Sequence, residues 1–435
     1  MSQIDLFNVI LTVISLFLSI FIVHYIFFGI VGLFKVKKFK KADKKLRYGV
    51  LISARDEEKV ISDLIFSING SDYPHDKIKI FVVAHNCTDK TAEIARSCGA
   101  EVFEYDNENE KTKGYALKFL CSAIIDKYGK NTFDGFFVFD ADNVIPQNFI
   151  DKMNDAFCHY DGKNIITGYR NAKNFGHSTL TAIYGLLFGS ACLLEGRGRT
   201  YLNCSTRTTG TGFLFPSDIV NDGWNYVGIT EDIEFSAEQI ISGREVCYCE
   251  DAVFYDEQPT SFSVSVKQRL RWEKGLVENF KTKLSKTVKG VFTKDKKKNK
   301  LSVLLMAIYL LTPALIVINA IIFIAKFILI GVASFMQASS IPLINHLVLS
   351  GIWILGAYLS WAMIAMLTYI FMREKIGKIK IKIKVLSILF YPLFVSLSLI
   401  LVIVAIFKKK VVWKQIPHGH AVNVKKIKTA ENVKK

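Results

Sequence analysis

The chain has 435 residues, enough for one α/β domain of roughly 200–250 residues and several membrane-length segments. Hydrophobic residues make up 51% of it, and the excess lies at the two ends. Its net charge is +17, but the lysine clusters sit beside the apolar segments, which favours anionic headgroups over nucleic acid as the partner. All eight cysteines fall between Cys87 and Cys249 without a CxxC pair, which reads as reduced thiols in a cytosolic domain.

From about Leu6 to Phe34 the sequence is almost uninterrupted apolar, preceded only by Asp5 and followed by Lys35, Lys37, Lys38, Lys40, Lys41, Lys44 and Lys45. A secretory signal is basic before its apolar core, so this segment (1–35) reads as a retained anchor with its N-terminus outside. A catalytic domain is expected over 45–283, with interfacial helices, and a second membrane region over 301–407. Spans are expected at roughly Leu301–Ala325 and Leu343–Met372. Lys297, Lys298 and Lys300 precede the first of these, and Arg373, Lys375, Lys378 and Lys380 follow the second. The last apolar segment, Val385–Phe407, conflicts with the charge rule, because one crossing would carry the basic tail (408–435, with Lys408, Lys409, Lys410, Lys425 and Lys426) outside. A re-entrant or interfacial segment interrupted by Pro392 would keep the tail inside, and that reading is preferred.

Between Tyr48 and Lys283, short apolar runs alternate with helical patterns, the signature of βαβ units and a mostly parallel sheet. Strands are expected at Tyr48–Ala54, Lys77–His85, Glu101–Tyr105, Gly135–Phe139, Ile165–Arg170 and Gly212–Phe215. Helices are expected at Asp56–Asn69, from Thr88-Asp89 to Cys98, and at Gly114–Tyr128. Ser178–Leu194 is apolar enough to lie on the membrane surface. Ligands of open α/β sheets sit at the carboxyl ends of strands, where His85 and Asp140 fall.

Three polar signals carry chemistry. Asp140-Ala-Asp142 follows the apolar run Phe136-Phe-Val-Phe139 and sets two carboxylates on one side if the extended chain continues. Buried acid there calls for a cation such as Mg²⁺ or Mn²⁺ shared with substrate phosphates; the plainer alternative is a turn leading into a helix cap. Thr230-Glu231-Asp232 opens a helix whose dipole alone would favour acids, while a functional reading makes Asp232 a general base for an acceptor hydroxyl. Gln268-Arg-Leu-Arg271-Trp272 puts Gln268, Arg271 and Trp272 on one helix face, with Gly275 leaving room for a close approach. A guanidinium suits a diphosphate and an indole suits a sugar ring; an interfacial helix with its Trp at headgroup level is the alternative, and both can hold at once. Lys113-Gly114 and Gly210-Thr211-Gly212 are weaker signals for diphosphate and for close backbone approach.

In order, Ile52-Ser-Ala-Arg-Asp-Glu57, Cys87-Thr-Asp89-Lys-Thr91, Lys113-Gly114, Asp140-Ala-Asp142, Gly210-Thr-Gly212, Thr230-Glu-Asp232 and Gln268-Arg-Leu-Arg-Trp272 resemble the membrane-integrated family 2 glycosyltransferases, among them cellulose, hyaluronan, chitin and poly-N-acetylglucosamine synthases. The resemblance spans roughly Tyr48 to Gly275. It implies a GT-A, Rossmann-like fold, a nucleotide-sugar donor and an inverting transfer. It further implies Asp232 as base beside Glu231, and Asp142 with Asp140 as ligands of Mg²⁺ or Mn²⁺. Arg55, Glu57, His85, Lys113, Asp140, Gln268 and Arg271 would surround the donor, and Trp272, Gly210 and Thr211 the acceptor. The implied enzyme elongates a β-linked exopolysaccharide from UDP-glucose or UDP-N-acetylglucosamine at the plasma membrane, with a growing glycan as acceptor and accessory export or regulatory subunits as partners. A non-processive transfer to a membrane lipid is the alternative. Ala84-His85 departs from the paired acids common in relatives, which puts recognition of the nucleobase in question.

Overall fold

The structure is a computed structural model that describes residues 3–295, 299–336, 341–376 and 379–409. Lys297, Lys298, Lys378, Lys410, Lys425 and Lys426 lie outside the described residues.

A long helix α1 (Gln3–Phe34) leads into an α/β domain. There β1 (Tyr48–Ala54), α2 (Ile61–Asn69), β2 (Ile78–His85), α3 (Thr91–Ser97), β3 (Glu101–Tyr105), α4 (Lys113–Tyr128) and β4 (Gly135–Asp140) alternate. Then come α5 (Phe149–His159), β5 (Ile165–Ala172), α6 (Thr179–Ala191), a π-helical turn (Cys192–Arg197) and α7 (Gly198–Tyr201). After these follow β6 (Phe213–Pro216), α8 (Glu231–Ser242), β7 (Val246–Asp256) and α9 (Phe262–Phe292). The last described elements are α10 (Lys300–Met336), α11 (Ile341–Phe371), α12 (Arg373–Ile376) and α13 (Ile381–Phe407).

The seven strands form one sheet in the order β3-β2-β1-β4-β6-β5-β7. All pairings are parallel except those of β6, which runs antiparallel to both β4 and β5. The central strands are apolar on both faces because helices cover both. Val50, Ile52, Phe137 and Phe139 join α2 and α5 in one core, whereas Leu51, Phe136 and Val138 join α4 and α8 in the other. Val303, Met306 and Leu310 of α10 belong to that second core, so the first turns of α10 are part of the domain's packing.

Among the described residues, five helical segments are long and apolar enough to cross a membrane, including α1, α10, α11 and α13. The fifth, Thr179–Tyr201, is 67% buried in protein. Ser178–Leu194, expected at a membrane surface, therefore does not expose most of its apolar side chains, because α11 and α13 pack on them. Nor does Pro392 interrupt the last segment, since α13 is helical straight through it.

Candidate active site

The site forms along the carboxyl edge of the sheet. Parallel register sets Ser53 of β1 beside Asp140 of β4 and Ala54 beside Ala84 of β2, so the segments that follow share one rim. The antiparallel strand β6 brings its amino end to the same rim. Gly212 N donates to Val138 O at 2.8 Å, and Asp140 N donates to Thr211 Oγ1 at 2.9 Å. This approach needs glycine: Gly212 has φ of +66°, and a Cβ there would lie 2.1 Å from the Phe254 ring.

Lys113, the first residue of α4, joins the acids. Its ammonium donates to Asp140 Oδ1 at 2.5 Å and to Gly210 O at 2.6 Å, and stands 3.8 Å from Glu231 Oε1. Burial opposes its charge, but Asp140 and Glu231 hold its pKa above the ordinary lysine value. Beyond Asp140 the extended chain does not continue; Asn143 N bonds to Asp140 O at 3.1 Å and closes a turn. Asp142 then accepts from Asn143 Nδ2 at 3.0 Å and from Glu257 N at 3.3 Å.

Glu231 and Asp232 open α8, where the helix dipole favours negative charge. Glu231 is buried while Asp232 beside it stays partly open to the cleft. Burial raises Glu231 to about 7, against Lys113 and with Asp232 and Asp140 adding repulsion. Burial also raises Asp232, but the Ile233 N–H, Arg207 and Lys113 counter it. The two acids therefore titrate as one pair, and burial holds both above the ordinary carboxylate range.

Helix α9 crosses this site with its two sides differently engaged. Arg271 faces the acids: burial lowers its pKa, and Glu231, Asp140 and Asp232 oppose that fall. Gln268 Oε1 accepts from Tyr184 Oη at 3.1 Å, and the Trp272 ring packs edge-on to Tyr184 and Phe188 of α6, each at 6.3 Å. On the other side, Arg269 donates to Phe394 O at 2.5 Å and to Ser398 Oγ at 2.8 Å, and Lys274 donates to Lys408 O at 2.7 Å, tying α9 to α13. Gly275 supplies the close approach its position predicts, and the approaching group is Thr230. A Cβ on Gly275 would meet Thr230 Oγ1 and Cγ2 at 2.3 Å. Asn279 Nδ2 completes the lock with a 3.0 Å bond to Thr230 Oγ1.

Arg55, Glu57 and His85 form a second group on the rim. Arg55 Nε donates to His85 O at 3.1 Å, and its Nη2 lies 3.2 Å from His85 Nδ1. His85 Nε2 is 2.6 Å from Glu110 O. With one nitrogen against a guanidinium donor and the other against a carbonyl, the ring is the neutral Nε2–H tautomer. At 2% exposure it has no free polar edge, so it braces Arg55 and does not itself face a ligand. Glu57 N donates to Thr91 Oγ1 at 2.7 Å in the turn into α2.

Sequence reasoning missed two cations. Arg170 pairs with Asp256, with Nε to Oδ2 at 2.8 Å, and donates to Thr209 O at 2.7 Å. Its charge acts on both Asp140 and Asp142. The strand-end rule that flagged His85 and Asp140 applies equally to Arg170, close to the end of β5. Arg207, which acts on Asp232, carries no comparable signal.

For a divalent cation, Asp140 and Asp142 offer hard carboxylate oxygens of the kind that suits Mg²⁺ or Mn²⁺. Among the described residues no third His, Cys, Asp or Glu joins them at ligating distance, so a cation there would take its remaining ligands from phosphate and water. Asp56, Cys87 and Asp89 do bring three ligand atoms within 4.8 Å of one another. Asp56 accepts from Thr88 N at 2.6 Å, and Asp89 from Thr91 N at 2.9 Å and Glu58 N at 3.1 Å, which makes this group turn architecture.

The mixed sheet, with acids, a lysine and an arginine along its carboxyl rim, is that of a glycosyltransferase of GT-A fold, as comparison with known proteins shows. A family model described as "Glycosyltransferase like family 2" matches residues 46–275, and the chain belongs to that family. It is similar to a probable glycosyltransferase of Sulfolobus acidocaldarius, 24% identical over 250 residues, 55% of this chain and 52% of that protein. It is also similar to the poly-beta-1,6-N-acetyl-D-glucosamine synthase of Staphylococcus aureus, 24% identical over 229 residues, 52% of this chain and 53% of that one. The chain thus spans about half the length of these curated relatives. A mannosyltransferase from Pyrobaculum calidifontis, solved in complex with GDP-Man and Mn²⁺, shares the fold with a TM-score of 0.58 at 16% identity, covering 86% of this chain and 98% of that one.

Proposed function

We propose that this protein is an inverting, multi-pass membrane glycosyltransferase with its α/β domain in the cytoplasm. It transfers glucose or N-acetylglucosamine from the UDP sugar to a hydroxyl of a growing β-linked glycan, and the helices after residue 300 couple elongation to export. The observation that carries the reading is the convergence of Lys113, Asp140, Glu231, Asp232 and Arg271, drawn from four separate elements, on one rim.

In this reading the donor diphosphate lies between Lys113 and Arg271, whose charges offset the negative charge that builds as the sugar departs. Asp142 with Asp140 would hold Mg²⁺ or Mn²⁺, which when bound would supply further neutralisation of that diphosphate. Asp232, the member of the acid pair that stays partly open to the cleft, takes the proton from the acceptor hydroxyl as its oxygen bonds to the anomeric carbon. The bond from that carbon to the diphosphate breaks, and the nucleoside diphosphate leaves with the electron pair. Gln268 and Trp272, braced by Tyr184 and Phe188, present the acceptor end with Gly210 opposite, whereas Thr211, fully buried with its hydroxyl between Asp140 N and Asn143 Oδ1, supports that loop and does not face the acceptor as expected. Arg55, braced by His85, and Glu57 lie toward the nucleotide. The cell membrane is the site of action, and export or regulatory subunits are the expected partners.

The test is a panel of nucleotide sugars offered to the full chain in detergent with Mg²⁺ or Mn²⁺, scored for nucleoside diphosphate release and for product size. UDP-glucose or UDP-N-acetylglucosamine giving a high polymer supports the reading. A single lipid-sized product would move the acceptor to a membrane lipid, and no release from any donor would remove the enzymatic reading.

A further inference from the structure

The chain from Ser205 to Gly212 is a strap laid across the helix that carries Asp232. Thr206 N donates to Val246 O at 2.9 Å at one end, and Lys113 holds Gly210 O at the other. Between them, Thr208 N donates to Ser236 Oγ at 3.1 Å and Thr208 Oγ1 to Asp232 O at 3.2 Å. The strap comes so close that a Cβ on Gly210 would stand 3.6 Å from Asp232 Oδ2.

Arg207 occupies the middle of this strap. Its guanidinium lies 4.3 Å over the Tyr309 ring of α10 and pairs with Glu195 at 3.3 Å. Glu195 sits in the π-helical turn, a kind of insertion often found at functional sites. The same carboxylate is shared with Arg199 at 3.4 Å, whose guanidinium faces the rings of Tyr25 and Phe28 on α1. Glu195 and Arg199 are buried, and the Nε atoms of Arg199 and Arg207 make no hydrogen bond within the described residues. Two guanidinium groups against one carboxylate leave a positive charge to be answered. Asp232 is the acid this strap touches on its cleft side: Thr208, next to Arg207, bonds its carbonyl and Gly210 lies against its Oδ2, while Arg207 counters the rise that burial gives it.

We infer that Arg207 is a positioning residue for Asp232, its guanidinium clamped by Glu195 and Tyr309 so that the strap stays fixed against the start of α8 and keeps the carboxylate aimed at the acceptor hydroxyl. The inference rests on Asp232 being the base. It gives α1 and α10, on either side of the family-matched segment, a part in the chemistry: Tyr309 steadies the cation directly, and Tyr25 steadies it through Arg199.

The experiment uses the full chain in detergent and the donor selected by the panel, with kcat and donor KM measured separately. Asp232→Asn is run alongside to test the base itself, and turnover in that variant would sink the base reading rather than this inference. With Asp232→Asn inactive, Arg207→Met is expected to lower kcat roughly 10²-fold, the scale of losing a positioned proton acceptor, while donor KM stays within about threefold. Arg207→Lys, which keeps the charge, is expected to recover about tenfold of that loss, since an ammonium restores the attraction to Glu195 and the Tyr309 ring but not the planar clamp. Should Arg207→Met fail to fold, Arg207→Gln is read the same way. Wild-type kcat in the neutral variant overturns the inference. So does a Lys variant no better than the Met variant, or a loss that falls on donor KM and not on kcat.

Discussion

Gly275→Ala isolates the contact between the two halves of the site. A Cβ there would meet Thr230 at 2.3 Å against the 3.4 Å at which ordinary contact begins, a shortfall of about 1.1 Å. Thr230 has no flexible end to swing aside, and its hydroxyl is held by Asn279. The start of α8 must therefore retreat from α9, taking Glu231 and Asp232 with it. Two energies compete in the stability. Replacing glycine inside a helix gains about 1 kcal/mol of propensity, while overpacking costs about 1–3 kcal/mol. The net is a loss of about 0–2 kcal/mol, and the melting temperature should fall by no more than a few degrees. Catalysis is less forgiving, because a displacement of about 1 Å at a reacting group costs on the order of 10²-fold. The expected signature is a nearly intact melting curve with kcat reduced about 100-fold, read by nucleoside diphosphate release in parallel with thermal unfolding. A variant turning over within about twofold of wild type would refute the claim that this helix contact sets the position of the acids.

Other outcomes follow from the same geometry. Asp232→Asn should abolish transfer while donor binding, measured by titration calorimetry, persists; Arg271→Ala should weaken both, and normal donor affinity in that variant would remove Arg271 from the diphosphate. Because Glu231 is raised to about 7 by burial and titrates with Asp232, the rate should fall as pH drops through about 7, well above the ordinary carboxylate range. Glu231→Gln removes the neighbouring negative charge and should carry that acid limb to lower pH, whereas an unmoved limb would show that the two acids titrate independently. Chelation should stop turnover, with Mn²⁺ or Mg²⁺ restoring it, and Asp142→Asn should raise the metal concentration needed for half-maximal rate; undiminished activity in chelator would exclude the cation.

The strands were legible where burial on both faces wrote a continuous apolar run. β1 and β3 begin and end at the residues the pattern marks, and β4 runs one residue longer, into Asp140 itself. Strand direction was not legible. β6 is too short for its sequence to reveal that it runs antiparallel, yet that reversal is what brings Gly210 and Thr211 against Asp140. β7 escaped altogether, because Val246–Asp256 mixes acids, cysteines and aromatics whose partners lie far along the chain. Among the site residues, the spacing of Gln268, Arg271 and Trp272 set their common face correctly, since helical periodicity is local. His85 shows the limit of such reasoning. Its position at a strand end was legible, but the ring turns inward because Arg55 and Glu110, distant in sequence, take both of its nitrogens.

One turn of α9 holds Arg269 and Arg271 back to back, the first gripping α13 and the second turned toward the acids. Solubilisation is thereby a chemical variable for this protein. An extraction that loosens α13 releases Arg269 and lets the neighbouring guanidinium drift, so a preparation with every side chain intact can still lose its rate, and returning lipid should bring it back.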